Sequence, residues 1–158
     1  MHICLVHTLE LKIPPVALVF GLALLMWLAA GCAPGLNVSF PLQSVVASVI
    51  GLSGITTCVL GVAAFKRAKT TVNPTKPELS SSLVTSGIYR RTRNPMYLGF
   101  LLMLAGWATA RANMVAFLAL PAFVFYMNQF QIKPEERALM SMFGDQFREY
   151  CCRVRRWS

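Results

Sequence analysis

Apolar positions along the chain gather into four runs, over residues 13–31, 42–65, 96–110 and 114–132, separated by a short uncharged connection, a long basic loop and a short turn. Runs of this length with almost no charge predict membrane-spanning helices, for which about 20 residues suffice. The third run is short and borrows length from its polar flanks. The connection at 111–113 is only a few residues long, so the third and fourth runs must form an antiparallel helical hairpin. Pro121 predicts a kink in the fourth span. After residue 132 the pattern changes: Leu139, Met142, Phe143, Phe147, Tyr150 and Val154 recur at helical spacing among charged residues. That predicts an amphipathic tail helix starting at Pro134, with Glu135 and Glu136 complementing its dipole and Gly144 as a break. The expected architecture is all-α, one domain over 1–158, with four transmembrane helices, a loop at 66–95 and a tail at 133–158.

Composition agrees with the pattern. Of 158 residues, 56% are hydrophobic and 13% charged, where soluble domains carry about 25% charge. The net charge of +9 is unevenly placed. Lys66, Arg67, Lys69, Lys76, Arg90, Arg91 and Arg93 crowd the loop after the second run, and Lys133, Arg137, Arg148, Arg153, Arg155 and Arg156 follow the fourth. The connection at 32–41 has no charge, and the hairpin turn has Arg111 alone. The positive-inside rule then puts both termini, the loop and the tail in the cytoplasm. Basic residues so close to a bilayer suit anionic lipid headgroups rather than nucleic acid.

Cys4, Cys32, Cys58, Cys151 and Cys152 form no C-x-x-C pair and have no histidine at ligand spacing, so neither a metal site nor a disulfide framework is expected. Leu28-Ala-Ala-Gly-Cys32 has the look of a lipoprotein cleavage site, but the apolar run before it is long enough to span. In the second span Ser44, Ala47, Ser48, Gly51, Gly54, Cys58 and Gly61 form a small-residue stripe, which predicts close helix packing and a central place in the bundle. No span carries an acid or base at mid-membrane depth that would mark an ion path.

Chemistry concentrates in Gly87-Ile-Tyr-Arg-Arg-Thr-Arg-Asn-Pro-Met-Tyr-Leu-Gly99. Asn94 is a favoured N-cap and Pro95 a favoured first helical residue, so the pair reads as a helix start whose positive end faces the loop. Because the last two spans are antiparallel neighbours, this start and the tail meet at one membrane surface. The junction combines an anion-friendly helix end, Arg93, the rings of Tyr89 and Tyr97, and the carboxylates of Glu135 and Glu136.

These two segments resemble the isoprenylcysteine carboxyl methyltransferase and phospholipid methyltransferase superfamily. Residues 85–99 are similar to its Gly-x-Tyr-x-x-x-Arg-His/Asn-Pro-x-Tyr-x-Gly pattern, and residues 135–150, followed by Val154-Arg-Arg-Trp157, to its Glu-Glu-x-x-Leu-x-x-x-Phe-Gly-x-x-Tyr-x-x-Tyr ending. Thr70-Thr-Val-Asn-Pro74 and Lys76-Pro-Glu78 resemble the loop of small bacterial members. The resemblance implies S-adenosylmethionine between loop and tail and a lipophilic acceptor entering from the bilayer of a bacterial inner membrane. Carried onto this chain, it implies that Arg93, Asn94, Pro95 and Tyr97 frame the cofactor, with Gly87 and Tyr89 shaping the loop. Glu135 or Glu136 then closes the site from the tail, and Arg137 holds an anionic acceptor. Two positions depart from the pattern: Asn94 stands where many relatives have histidine, and Phe147 replaces a tail tyrosine. Two other readings stay open at this point, a nicotinamide-dependent membrane reductase with a similar Tyr, Arg, His-Pro, Tyr loop, and a non-catalytic lipid-binding scaffold.

Overall fold

The computed structural model describes residues 10–68 and 82–157. The loop motifs over 70–78, with His2, Cys4 and His7, lie outside the described residues. Proline sets where the first helix begins: Pro14 and Pro15 open α1 (Pro15–Cys32), because a missing N–H costs nothing in a first turn. Next comes α2 (Gln43–Arg67), with Lys66 and Arg67 in the last turn where cations complement the helix dipole. Pro95 opens α3 (Pro95–Arg111) as predicted. A helical rod then runs through α4 (Met114–Phe117), α5 (Ala119–Tyr126), a π-helical stretch over Met127–Ile132, and α6 (Lys133–Arg153). Among the described residues there is no strand, only an antiparallel bridge between Asn37 and Asn113.

Three helices are long and apolar enough to cross a membrane: α1, α2 and the rod from Met114. At 17 residues α3 is shorter than these. The outward faces are those of a protein that meets lipid, with Phe20 71%, Val49 62% and Phe125 64% exposed.

The centre of the bundle is α3, not α2 as the small-residue stripe suggested. α3 is packed by α2 on one side and by α1, α4 and α5 on the other, where Met26, Leu104, Ala108, Ala116, Phe123 and Met127 form the core. The stripe is the seam between α2 and α3. A Cβ on Gly54 would stand 2.6 Å from the Gly99 carbonyl oxygen, and one on Gly106 would stand 2.8 Å from that of Ala47. Such an approach, backbone against backbone, is open only to glycine. A stripe of small residues signals a close contact but not which partner lies inside.

The hairpin between α3 and α4 is tied by Asn113, which is fully buried. Its side-chain oxygen accepts from the Val115 N–H at 3.0 Å, capping α4, while its amide donates to the Ala33 carbonyl at 2.9 Å and to Asn37 Oδ1 at 2.8 Å. The uncharged connection after α1 and the hairpin turn, whose one charge is Arg111, therefore share one end of the bundle.

Two prolines shape the helical rod that starts at Met114. Pro121 has no N–H for the Phe117 carbonyl, and the helix is interrupted at Leu118, one residue past that group. Pro134 stands in the first turn of α6 with Glu135 and Glu136, as expected, but that start is not a free end: Ile132 and Lys133 keep helical dihedrals and the π-helical stretch leads into it. In an α-helix the Phe130 carbonyl would need the N–H that Pro134 lacks. The chain widens there to π geometry, and the backbone N–H of Leu11 donates to Phe130 at 3.0 Å instead. Gly144 does break α6, with φ +50° and ψ −122°, a conformation reserved for glycine. The second half of the tail helix folds back from that point.

Candidate functional site

Loop and tail meet along a seam of hydrogen bonds. Gly87, at φ +62°, starts a 3₁₀ turn over Gly87–Arg90. Tyr89 is buried on that turn against Ala64, Val84 and Phe65, the last ring edge-on at a centroid distance of 5.4 Å. Tyr150 from α6 donates its hydroxyl to the Tyr89 carbonyl at 2.7 Å. Burial, with the neighbouring Tyr150, pushes the Tyr89 hydroxyl far above the ordinary tyrosine range, and burial raises Tyr150 too, which keeps the Tyr150 hydroxyl a donor.

Three further bonds clip the end of the tail onto the start of α3. The Arg93 N–H donates to the Arg155 carbonyl at 3.0 Å, and the Arg156 carbonyl accepts from Thr92 Oγ1 at 3.2 Å and Asn94 Nδ2 at 3.0 Å. Asn94 thus occupies the N-cap position without capping through its side chain, contrary to expectation. Its amide is committed to the tail. Trp157 completes the clip by donating to Asn128 Oδ1 at 3.2 Å.

Above this clip sits a cluster of charge. Arg156 clasps Glu136 at two points, Nε to Oε1 at 3.1 Å and Nη2 to Oε2 at 2.6 Å. Arg93 reaches the same carboxylate, Nη2 to Oε1 at 3.2 Å, and its Nη1 touches Cys151 Sγ. The Arg93 Nε is buried with no hydrogen-bond partner. Two guanidiniums on one carboxylate leave the trio at a net charge of +1.

The neighbouring residue faces another way. Glu135 accepts from the Tyr97 hydroxyl and from Gln131 Nε2, the latter at 3.0 Å. Removal from water pushes the Glu135 carboxyl up to about 7, against the pull of those two donors. Of the two glutamates, then, Glu135 supports the Tyr97 ring from below and Glu136 meets the arginines. The π-helical stretch before them shifts the phase of the helix, and with it the direction of both side chains.

A cleft of about 600 Å³ opens between the halves of α6, lined by Lys133, Glu136, Arg137, Met140, Ser141, Phe147 and Cys151. Its lining is largely apolar surface, with Lys133, Arg137 and Glu136 as its charged members. Arg137 also pairs with Glu10 at 2.6 Å. Phe147, where a tyrosine was expected, is buried among Tyr150 and Val154.

Comparison with known proteins bears on this arrangement. The model of the phospholipid methyltransferase family matches residues 42–146, about two thirds of the chain. The chain belongs to that family. Protein-S-isoprenylcysteine O-methyltransferase B of Arabidopsis thaliana is 36% identical over 72 residues, 46% of this chain and 36% of that protein. The protein-S-isoprenylcysteine O-methyltransferase of Schizosaccharomyces pombe is 35% identical over 68 residues, 43% of this chain and 29% of that protein. An uncharacterized protein of Haemophilus influenzae is 47% identical over 62 residues, 39% of this chain and 98% of that protein. The chain thus covers about a third of the named methyltransferases. No solved structure matches. With its three spanning-length helices, this family member is an integral membrane protein.

Seven of the nine sequence-predicted residues lie on the two facing walls: Arg93, Asn94, Pro95 and Tyr97 on one, Glu135, Glu136 and Arg137 on the other. Gly87 and Tyr89 support the first wall from the turn behind it. Four participants escaped the sequence reading: Arg156, Cys151, Gln131 and Thr92. Val154-Arg-Arg-Trp157 held the signal for Arg156, but an arginine there also fits the basic bias common beside a membrane span.

Proposed function

We propose that the chain, as a single domain over 1–158, transfers a methyl group from S-adenosylmethionine to a lipophilic acceptor at the cytoplasmic surface of a bacterial inner membrane. The acceptor class is an isoprenylcysteine-like carboxylate, a phospholipid or another small hydrophobic molecule. In this reading α3 is a fourth, short span and both termini are cytoplasmic. Family membership supports methyl transfer, and one observation carries the location: the cationic Arg93, Glu136 and Arg156 cluster shares Glu136 with the lining of a largely apolar cleft.

The residues present fit such a cofactor. The buried, unpartnered Nε of Arg93 is a donor in want of an acceptor, as a carboxylate would be. When bound, S-adenosylmethionine supplies an electrophilic methyl group on a sulfonium. Arg93 would hold its carboxylate, with Glu136 contacting the Arg93 and Arg156 guanidiniums and closing the site from the tail. Met140 and Phe147 offer an apolar surface that excludes water. Pro95 and Asn94 set the helix start, Gly87 and Tyr89 the turn behind it, and Glu135 holds Tyr97 in the wall between cleft and bilayer. Arg137 and Lys133 in the cleft lining attract an anionic acceptor. The chain's contribution is alignment of two reactants, the effect that intramolecular reactions reproduce at effective molarities of about 10⁵–10⁸ M. Asn94 lacks the proton-accepting nitrogen of a histidine and its amide is engaged, so an acceptor arriving as a carboxylate or thiolate, which needs no deprotonation, suits this site.

Membranes containing the chain, incubated with methyl-labelled S-adenosylmethionine, should yield label in the organic-soluble fraction, and the E136A variant should yield far less. Label in that fraction no greater than in membranes without the chain, with the protein intact, would refute the reading.

A further inference from the structure

Arg156 lies beyond the span that the family match covers, yet it is held more firmly than any other residue of the tail's end. Its carbonyl accepts from Thr92 and Asn94, its neighbours are tied to Arg93 and Asn128, and its guanidinium takes both oxygens of Glu136. Arg93, by contrast, makes one contact to Glu136 at 3.2 Å and keeps a buried Nε without a partner. A carboxylate prefers a guanidinium in a two-point fork. Were Arg156 absent, Glu136 would be free to turn that fork onto Arg93 and cancel its charge.

We infer that Arg156 is a positioning residue: by occupying Glu136, it keeps Arg93 available and leaves the cleft a cationic socket for one carboxylate or phosphate group. The charge arithmetic is simple. The trio stands at +1; without the Arg156 charge it falls to zero; without both Arg156 and Glu136 charges it returns to +1. The identity of the anion rests on the methyl-donor reading, but the existence of the socket does not.

Cys151 reports on the socket directly, because its sulfur touches Arg93 and lines the cleft. Its thiolate displaces iodide from anionic iodoacetate or neutral iodoacetamide, and the ratio of the two rates cancels thiolate population and access. In a C152S background, with alkylation read by mass spectrometry of the Cys151 peptide, R156Q should lower the iodoacetate-to-iodoacetamide ratio roughly fivefold, the scale of one unit charge at a partly exposed site. R156Q/E136Q should restore it. E136Q alone, which leaves the tail clip and Arg156 intact, should raise the ratio above the unsubstituted value and does not depend on R156Q folding. An unchanged ratio in R156Q, or a fall that E136Q fails to restore, overturns the inference, since a merely structural role would not be rescued by removing a second charge. For the anion's identity, R156Q should weaken S-adenosylhomocysteine binding about tenfold while leaving 5′-methylthioadenosine, which lacks the carboxylate, unchanged. Equal weakening of both would overturn the donor carboxylate as occupant. Absence of binding by the unsubstituted protein would instead refute the donor reading, with the alkylation ratios still deciding the socket.

Discussion

Substituting Gly99 by alanine probes the seam that brings the site's first wall against α2. A Cβ there would stand 2.7 Å from the Gly54 carbonyl oxygen and 3.0 Å from the Cys58 nitrogen, with Cys58 Sγ also in the way. The sulfur can rotate aside but the two backbone atoms cannot, so α2 and α3 must part. Overpacking of this kind costs about 1–3 kcal/mol. Gly51, on the same stripe, is the matched control, because a Cβ there meets nothing within 4 Å. Both glycines are in helix interiors, so both substitutions gain the same ~1 kcal/mol of helix propensity. G51A should therefore be neutral to stabilising, and G99A should be less stable than G51A by about 1–3 kcal/mol. Thermal unfolding in detergent, followed by loss of helical circular dichroism, would show a midpoint several degrees lower for G99A. Adding C58A should recover only part of the loss. Equal midpoints for G99A and G51A would refute the close approach of α2 and α3.

Three further outcomes follow from other parts of the molecule. The Glu135 carboxyl is raised from its ordinary 4.5 to about 7 by burial, so the folded state holds its proton more tightly than the unfolded chain does. The resulting stability is complete below about pH 4.5 and is lost as pH rises through 7; unfolding midpoints measured across that window should fall with pH, and less so in E135Q. N113A removes a fully buried amide with three partners and should destabilise by about 2–4 kcal/mol, read by the same unfolding assay, since the Ala33 carbonyl and Asn37 lose their donor. Reporter tags at the N-terminus and after Ser158 should both be accessible from the cytoplasm and not from the periplasm; a periplasmic C-terminus would place the site where no methyl donor is made.

Much of the fold was legible because its signals are local. Run lengths located the helices to within about two residues at most ends, Pro95 marked the start of α3, and the φ-positive break at Gly144 followed from glycine alone. What stayed hidden depends on partners distant in sequence. Pro134 marks the start of α6, but not the π-helical stretch that leads into it, nor the Leu11 N–H that takes the Phe130 carbonyl. Asn94 reads as a cap until the Arg156 carbonyl arrives from 62 residues away. The site shows the same division: its two walls were evident from Arg93, Tyr97 and the paired glutamates, whereas the directions in which Glu135 and Glu136 point follow a π-helical phase shift no local pattern announces. Arg156 was hidden for a different reason, that membrane orientation alone is enough to explain a basic tail.

The most direct test of methyl-donor chemistry is calorimetric titration of S-adenosylhomocysteine into the purified protein in detergent. One saturable site per chain, weakened by R93A, is the predicted result. A helical, monodisperse preparation that takes up no ligand would contradict the account.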